Sequence, residues 1–260
     1  MSTSSPDMKQ ALADGAVLVG MWAALADPYA AELCANSAFD WMLVDAEHGP
    51  NDVRTVLAQL QALAPYPVHP MVRLPNDDAS LIKRYLDIGA RNLLIPLVDT
   101  AEQAAAVVAA TRYPPDGIRG VGAGLARVSR WGARSDYLTE ANGEVHLWVQ
   151  LETTTALQNV EAIASLPGVD GVFFGPADIA ASMGKLGEAT DPDVVAAVID
   201  GIERATAIGA RSGVFIPDGA VLEACRNAGA TLLGVAADTG MLAAATRRTA
   251  REMRDLLGAD

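Results

Sequence analysis

The chain has few residues of several types that mark particular classes of protein. Its 260 residues include two cysteines and three lysines, and aromatic residues make up 5% of the sequence. Two cysteines exclude a disulfide-rich scaffold and fit a reducing cytoplasm. Its 19 basic and 32 acidic residues give a net charge of −13, which argues against nucleic-acid or anionic-membrane partners. No apolar run reaches the roughly 18 residues that a membrane span needs. The sequence therefore predicts a cytoplasmic protein.

Motifs for nucleotide binding and for two kinds of covalent catalysis are also missing. The first predicted strand lacks a G-x-G-x-x-G turn, and there is no Walker A pattern, so no nucleotide cofactor is expected. Lys9, Lys83 and Lys185 do not end predicted strands, which leaves a Schiff-base aldolase without a nucleophile. The G-x-S-x-G motif of serine hydrolases does not occur.

Short apolar runs recur along the whole chain and alternate with alanine-rich helical stretches. The runs cover residues 17–22, 41–45, 69–73, 92–96, 146–151, 171–175, 213–216 and 232–236. They are continuous, as expected for strands buried on both faces, and their alternation with helices indicates a parallel sheet. Eight such units without a linker predict a single (β/α)8 TIM barrel over residues 1–260. An open doubly wound sheet is the alternative.

Two segments extend beyond this repeat. Residues 113–143 separate the fourth helix from the fifth strand, where two to six residues are usual. This connection is predicted to be an active-site or inter-subunit loop, with a plain surface loop as the alternative. Near the C-terminus, Met241, Leu242, Met253 and Leu256 fall at helical spacing and predict a helix that packs on the barrel or on another subunit.

In a barrel of this kind the active site lies at the carboxyl ends of the strands. Glu152 and Asp178 follow the neighbouring fifth and sixth strands. Two carboxylates completed by water make a hard oxygen site, suited to Mg²⁺ or Mn²⁺. Alternatively, each carboxylate caps the helix that follows it.

A base and a cation are predicted at the same rim. His48 follows the second strand, and Asp45 and Glu47 lie close enough in sequence to orient it as a general base. A structural histidine bonded to a loop carbonyl is the alternative. Arg73 ends the third strand, where it could stabilise an oxyanion or form an ion pair with Asp45 or Glu47. A metal, a base and an arginine together fit enolate chemistry on an α-keto acid.

Four segments carry a resemblance to a known family. They are FDWMLVDAEH at 39–48, RYPPDGIRGVG at 112–122, QLET at 150–153 and GVFFGPAD at 171–178. With them, the chain from about residue 15 to residue 253 resembles the HpcH/HpaI family, the metal-dependent class II pyruvate aldolases. The resemblance implies reversible cleavage of a 4-hydroxy-2-oxo acid into pyruvate or hydroxypyruvate and an aldehyde, through a metal-stabilised enolate.

The resemblance also assigns roles to matching residues. It implies that Glu152 and Asp178 bind the metal, with Mg²⁺ or Mn²⁺ expected and Co²⁺ or Zn²⁺ as alternatives. The carboxylate of pyruvate is expected at the backbone N–H groups of Ala177 and Asp178. The other implied positions are Arg73 at the keto or enolate oxygen, His48 with Asp45 and Asp87 in proton transfer, Gln150 at the substrate or a metal-bound water, and Ile216 on the acceptor side.

The family further implies a homo-hexamer, built as a trimer of dimers, in which the last helix is exchanged with a neighbouring subunit. Asp87 ends the helix before the fourth strand, on the face opposite the active site of its own barrel. A catalytic Asp87 would therefore have to serve an adjacent subunit.

Two other functions remain open from the sequence. The same superfamily contains citrate-lyase-like enzymes that cleave acyl-CoA thioesters of the malyl-CoA type. Arg127, Arg130 and Arg134 form the one basic cluster that could meet the phosphates of CoA. A non-catalytic keto-acid-binding barrel is the other alternative.

Overall fold

The strands close into a single barrel in the computed structural model, which describes residues 7–258. The strands are β1 (Leu18–Ala23), β2 (Trp41–Asp45), β3 (His69–Arg73), β4 (Asn92–Ile95), β5 (His146–Leu151), β6 (Gly171–Phe174), β7 (Ser212–Phe215) and β8 (Leu232–Ala237). Each strand pairs in parallel with the next, and β8 pairs with β1. The predicted (β/α)8 barrel is confirmed, and the open sheet is excluded.

Helices lie between the strands. They are α1 (Met8–Ala13), α2 (Pro28–Ala35), α3 (Val53–Leu63), α4 (Ala79–Asp87), α5 (Ala101–Thr111), α6 (Tyr137–Glu144), α7 (Thr154–Gln158), α8 (Val160–Ala164), α9 (Pro176–Ser182), α10 (Pro192–Ala207), α11 (Gly219–Ala228) and α12 (Asp238–Leu257). Asp191 caps α10, and proline stands in the first turn of that helix. The helical stretch after β5 is divided at Asn159, whose side chain donates to the backbone oxygen of Asp99 at 2.8 Å.

Glycines allow large indoles to fill the barrel. A Cβ on Gly20 would lie 2.4 Å from the ring of Trp41, and one on Gly234 would lie 2.3 Å from the ring of Trp22. Since heavy atoms in real structures do not approach so closely, a larger residue at either position would displace its tryptophan. These tryptophans belong to a buried cluster with Trp148 and Phe173.

Helix α1 closes the amino-terminal end of the barrel. Its Met8 and Leu12 are buried in the same cluster as the tryptophans. Lys9 pairs with Asp170 at 2.8 Å, and Asp170 directly precedes β6. The carboxyl ends of the strands remain open, so the one wide mouth of the barrel is at the end where a catalytic site is expected.

The two segments outside the repeat are partly helical. Residues 113–143, predicted as a loop, contain two short 3-10 turns and most of α6. Tyr113 and Tyr137 pack edge to face in a small separate core beneath them. Helix α12 confirms the helix predicted near the C-terminus, but its Leu242, Met253 and Leu256 are exposed and do not pack on the barrel of their own chain. No helix within residues 7–258 is both long and apolar enough to cross a membrane.

Candidate active site

A cavity of about 580 Å³ opens at the carboxyl ends of the strands. Its wall includes six residues predicted for the site, namely Asp45, His48, Arg73, Gln150, Ala177 and Asp178. Apolar residues from four strands also line it, namely Trp22, Phe173, Phe215 and Ala237. The closed barrel thus brings together side chains that are more than 130 positions apart in the sequence.

Arg73 is held by two acidic side chains at the base of the cavity. Its Nε and Nη2 donate to Oδ1 and Oδ2 of Asp45 at 2.9 and 2.7 Å, a two-pronged pair. Its Nη1 lies 2.9 Å from Oε2 of Glu47. Both ion pairs that the sequence left as alternatives are therefore present. They fix the guanidinium at the cavity wall.

The pKa values of these two carboxyl groups are shifted in opposite directions. Burial raises the pKa of Asp45, but Arg73 and the backbone N–H groups of Glu47 and His48 outweigh it, so the pKa lies below its usual value. Burial raises the pKa of Glu47, nearby Asp45 and Asp178 add to the rise, and together they outweigh the opposing effect of Arg73. Asp45 is thus held as an anion, while Glu47 is the readier of the two to take up a proton.

His48 is the most exposed of the predicted catalytic residues. Its side chain is 69% exposed, and its Nε2 lies 3.9 Å from Oε2 of Glu47. Asp45 accepts from the backbone N–H of His48 at 3.3 Å rather than from its ring. Of the two predicted orienting residues, Glu47 is therefore the one that approaches the imidazole. No loop carbonyl within residues 7–258 accepts from the ring, which disfavours the structural alternative.

Glu152 is buried just behind the cavity. It is 2% exposed, its Oε2 accepts from the N–H of Leu97 at 3.0 Å, and its Oε1 accepts from Nε2 of Gln150. Burial raises its pKa to about 7, with Glu47 and Asp178 adding to the rise. Thr153, not Glu152, caps α7, so the capping alternative does not hold at this position.

The donor set around Glu152 fits a hard divalent cation. Asp178 adds to the raised pKa values of both Glu47 and Glu152, and Glu47 adds to that of Glu152, a repulsion that a cation would relieve. Gln150 Oε1 is buried without a hydrogen-bond partner among the described residues. Within residues 7–258 no three His, Cys, Asp or Glu side chains converge as a complete metal cage. Magnesium sites commonly use one or two carboxylates and several waters, so a complete protein cage is not required.

Asp178 sits where a helix begins. It lies in the first turn of α9, and Gly175, not Asp178, is the residue before that helix. A Cβ on Gly175 would lie 2.9 Å from Oε1 of Glu152 and 3.0 Å from its Cγ. The glycine therefore leaves room for Glu152 to approach the end of β6. This close approach explains a glycine at this position.

Two predicted residues lie elsewhere. Asp87 ends α4, away from the cavity of its own chain, and pairs with the buried Arg119 at 2.8 Å. Ile216 is 2% exposed and packs in the core between strands and helices. The preceding residue, Phe215, lines the cavity instead. The barrel thus brings neither Asp87 nor Ile216 to the mouth of this chain's own cavity.

The sequence did not single out the aromatic part of the wall. Trp22 contacts Phe215 with ring centroids 4.4 Å apart and Phe173 at 5.6 Å. The guanidinium carbon of Arg73 lies 5.9 Å from the centroid of Trp22. Each of these aromatics falls near the end of a predicted strand, which is the signal that could have identified them.

Comparisons with known proteins find close similarity to aldolases. The chain is 53% identical to a hydroxypyruvate/pyruvate aldolase of Deinococcus radiodurans, over 96% of the chain and 91% of that protein. It is 49% identical to a 4-hydroxy-2-oxovalerate aldolase of Rhodococcus jostii, over 95% of each. A crystal structure from Burkholderia cenocepacia, described as an HpcH/HpaI aldolase/citrate lyase family protein, superposes with a TM-score of 0.90. It is 42% identical and covers 95% of this chain and 98% of its own.

A model of one family matches almost the whole barrel, from residue 18 to residue 245. The matched range contains every residue placed in the cavity wall above, together with Glu152 and Asp87. The resemblance drawn from four sequence segments is therefore confirmed. The chain belongs to the HpcH/HpaI aldolase/citrate lyase family.

Proposed function

We propose that the chain is a divalent-metal-dependent aldolase that reversibly cleaves a 4-hydroxy-2-oxo acid into pyruvate or hydroxypyruvate and an aldehyde. The observation that carries this proposal is the convergence of Arg73, His48 and Asp178 on one cavity, with Glu152 buried behind it. The names of the two aldolase relatives, both at about half identity over nearly full length, support the same reaction.

The cavity presents separate groups to the carboxylate and to the keto oxygen of the substrate. The N–H groups of Ala177 and Asp178 lie in the first turn of α9, where backbone donors lack partners within the helix. They are suited to hold the substrate carboxylate. Arg73, fixed by Asp45 and Glu47, is suited to stabilise the negative charge that develops on the keto oxygen.

Proton transfer is assigned to the exposed side of the cavity. Cleavage requires a base to remove the proton of the 4-hydroxyl group, and the resulting enolate must be protonated at carbon 3. His48 lines the cavity, and an imidazole can act both as a general base and as a general acid, which suits both steps. Glu47, 3.9 Å from the imidazole, is placed to share its proton. Gln150 is suited to position the substrate or a water through its unpaired Oε1.

Glu152 and Asp178 would hold the metal ion, with Mg²⁺ or Mn²⁺ favoured by their oxygen ligands and Co²⁺ or Zn²⁺ as alternatives. When bound, such an ion supplies Lewis-acid polarisation of the keto group. In the cavity wall, Trp22, Phe173 and Phe215 form an apolar surface that limits the access of water.

The test replaces each proposed ligand separately. Glu152→Ala and Asp178→Ala are expected to lower retro-aldol turnover of 4-hydroxy-2-oxovalerate by about 1000-fold or more, while circular dichroism stays unchanged. Glu188→Ala is the matched control, because Glu188 is exposed and lies outside the cavity. Normal turnover by either ligand variant in excess Mg²⁺ would contradict the proposed metal site.

The acyl-CoA alternative finds less support. Two arginines of the only candidate phosphate cluster are engaged within the chain. Arg127 donates to the backbone oxygen of Ile88 at 2.8 Å, and Arg134 pairs with Glu144. Each guanidinium thus already has a partner within the chain, which favours the aldolase over the acyl-CoA lyase.

We also propose assembly as a homo-hexamer, a trimer of dimers, in which α12 is exchanged and Asp87 serves a neighbour's site. Leu242 and Leu256 on α12 are exposed, as are Tyr29 and Leu33 on α2. Covering these apolar side chains with a second copy would stabilise the protein. The same assembly would bring Asp87 and the 113–143 segment near another cavity.

A further inference from the structure

A network of hydrogen bonds behind the cavity surrounds Glu152 and has no role in the reaction proposed above. At its centre is Leu97, which follows β4 and has a φ of 55°. Leucine rarely adopts this left-handed conformation. Its side chain is 52% exposed, so packing of that side chain does not hold the turn. The N–H of Leu97 donates to Oε2 of Glu152 at 3.0 Å.

Gln103, in the first turn of α5, holds this turn with both ends of its amide. Its Nε2 donates to the backbone oxygen of Leu97 at 2.9 Å and to Oδ2 of Asp77 at 3.0 Å. Its Oε1 accepts from the backbone N–H of Asp99 at 2.9 Å. A single side chain therefore fixes residues 97–99 at both of their ends.

The opposite side of the turn is tied to the segment after β5. Thr153 Oγ1 donates to Oδ1 of Asp99 at 2.5 Å, and Asn159 Nδ2 donates to the backbone oxygen of Asp99 at 2.8 Å. The N–H of Val98 donates to the backbone oxygen of Gln150 at 3.1 Å. The turn thus connects α5 to the chain segment that carries Glu152, and within residues 7–258 Gln103 is the only side chain of α5 that forms hydrogen bonds with residues 97–99.

We propose that Gln103 is a positioning residue for the metal site, acting through the backbone of Leu97. By holding Leu97 in its left-handed conformation, Gln103 keeps the Leu97 N–H on Oε2 of Glu152. That bond fixes the orientation of the carboxylate and leaves Oε1 as the oxygen that faces Gln150 and Gly175. The inference rests on the proposed role of Glu152 as a metal ligand. Groups that orient metal ligands typically change metal affinity by about 10- to 100-fold when removed.

The test measures Mn²⁺ affinity, without turnover, from the electron paramagnetic resonance signal of free Mn²⁺ in titrations of the purified protein. Gln103→Leu is expected to raise the Kd at least about tenfold. Gln158→Leu is the matched control, because Gln158 is exposed and its side chain forms no hydrogen bond within residues 7–258. It should leave the Kd within about twofold of that of the unmodified protein. A Kd for Gln103→Leu that also lies within about twofold of that of the unmodified protein would overturn the proposal.

A second pair of variants tests the route through Leu97. Glycine adopts a positive φ without steric cost, so adding Leu97→Gly to Gln103→Leu should recover at least about threefold in Mn²⁺ affinity. A double variant that binds no more tightly than Gln103→Leu would contradict that route. Gln103→Glu keeps the oxygen that accepts from the N–H of Asp99 but loses the donor to the backbone oxygen of Leu97. If Gln103→Leu does not fold, Gln103→Glu takes its place, and the proposal requires that it also weakens Mn²⁺ binding.

The failure of this proposal is distinguishable from failure of the proposed function. If the unmodified protein binds Mn²⁺ and the Gln103 variants bind it with the same affinity, the metal site stands and the role of Gln103 is contradicted. An unmodified protein that binds no Mn²⁺ contradicts the metal site and, with it, this inference.

Discussion

Arg73 donates two hydrogen bonds, of 2.9 and 2.7 Å, to the carboxylate of Asp45, and its Nη1 lies 2.9 Å from Oε2 of Glu47. Both carboxylates come from the end of β2 or just after it, and Arg73 ends β3. In the barrel register Asp45 is paired directly with Arg73. The ion pair is therefore a consequence of strand alignment, and it sets the direction of the only cation in the cavity wall among the described residues.

Arg73→Lys should lower kcat by about 100-fold, since lysine keeps the charge but cannot form the two-pronged pair. The buried Asp45 would lose a hydrogen bond, lowering the free energy of unfolding by about 1–3 kcal/mol. Steady-state kinetics and urea denaturation check the two effects. Arg91→Lys is the control, because Arg91 forms an exposed pair with Glu144 at 3.5 Å and should change neither quantity. Turnover of Arg73→Lys within threefold of normal would contradict the assigned role.

Glu152 should make the metal-free protein less stable as the pH rises. Its pKa is raised by burial from 4.5 to about 7, so the folded state binds more protons than the unfolded state between those values. Unfolding free energy therefore falls through this window, by up to about 3 kcal/mol. Urea denaturation at pH 5 and pH 8 in EDTA measures the fall.

Glu152→Gln, which cannot ionise, should remove most of this pH dependence, and Mg²⁺ added at pH 8 should stabilise the unmodified protein. An equal fall in stability for Glu152→Gln and for the unmodified protein would show that Glu152 does not carry the charge penalty.

Gly175→Ala should impair the site without unfolding the barrel. Gly175 has a φ of −105°, which alanine adopts freely, but the new Cβ would lie 2.9 Å from Oε1 of Glu152. We expect at least a tenfold loss of kcat at saturating substrate, because the carboxylate must move. Gly219→Ala is the control, since a Cβ there meets no heavy atom within 4 Å. Similar kcat values for the two variants would contradict the tight fit at Glu152.

Asp87 and His48 offer a test of action between subunits. In the proposed hexamer, each cavity combines His48 of one chain with Asp87 of another. His48→Asn and Asp87→Asn should each lose about 100-fold or more in turnover. Unfolding and refolding the two variants together should restore part of the activity, because some cavities then contain neither substitution. Mixed refolding without recovery would contradict a shared site.

The barrel could be predicted because its signals are local and repeated. Eight buried strands give continuous apolar runs, and Gly89, Gly209 and Gly229 take positive φ values within two residues of the ends of their helices. The acidic and basic site residues were predictable for a related reason. They follow strand ends, and the fold sends all strand ends to one rim.

What the sequence could not show depends on pairings across the barrel. Neighbouring residues of a strand point to opposite faces, and Phe215 and Ile216 are both apolar, so the pattern did not reveal that Phe215 faces the cavity. The bond from Leu97 to Glu152 joins residues 55 positions apart through a backbone group that has no sequence signature. The helix Tyr137–Glu144 was missed because it is short and has a weak amphipathic pattern.

Metal-dependent enolate formation is tested by following the methyl protons of pyruvate by NMR in D₂O with the purified protein. Enolate formation exchanges these protons for deuterium without any choice of aldehyde. We expect exchange with Mg²⁺ or Mn²⁺, its loss in EDTA, and no exchange by Glu152→Ala or Asp178→Ala. An absence of exchange of pyruvate and hydroxypyruvate protons with every divalent metal would contradict metal-dependent enolate formation.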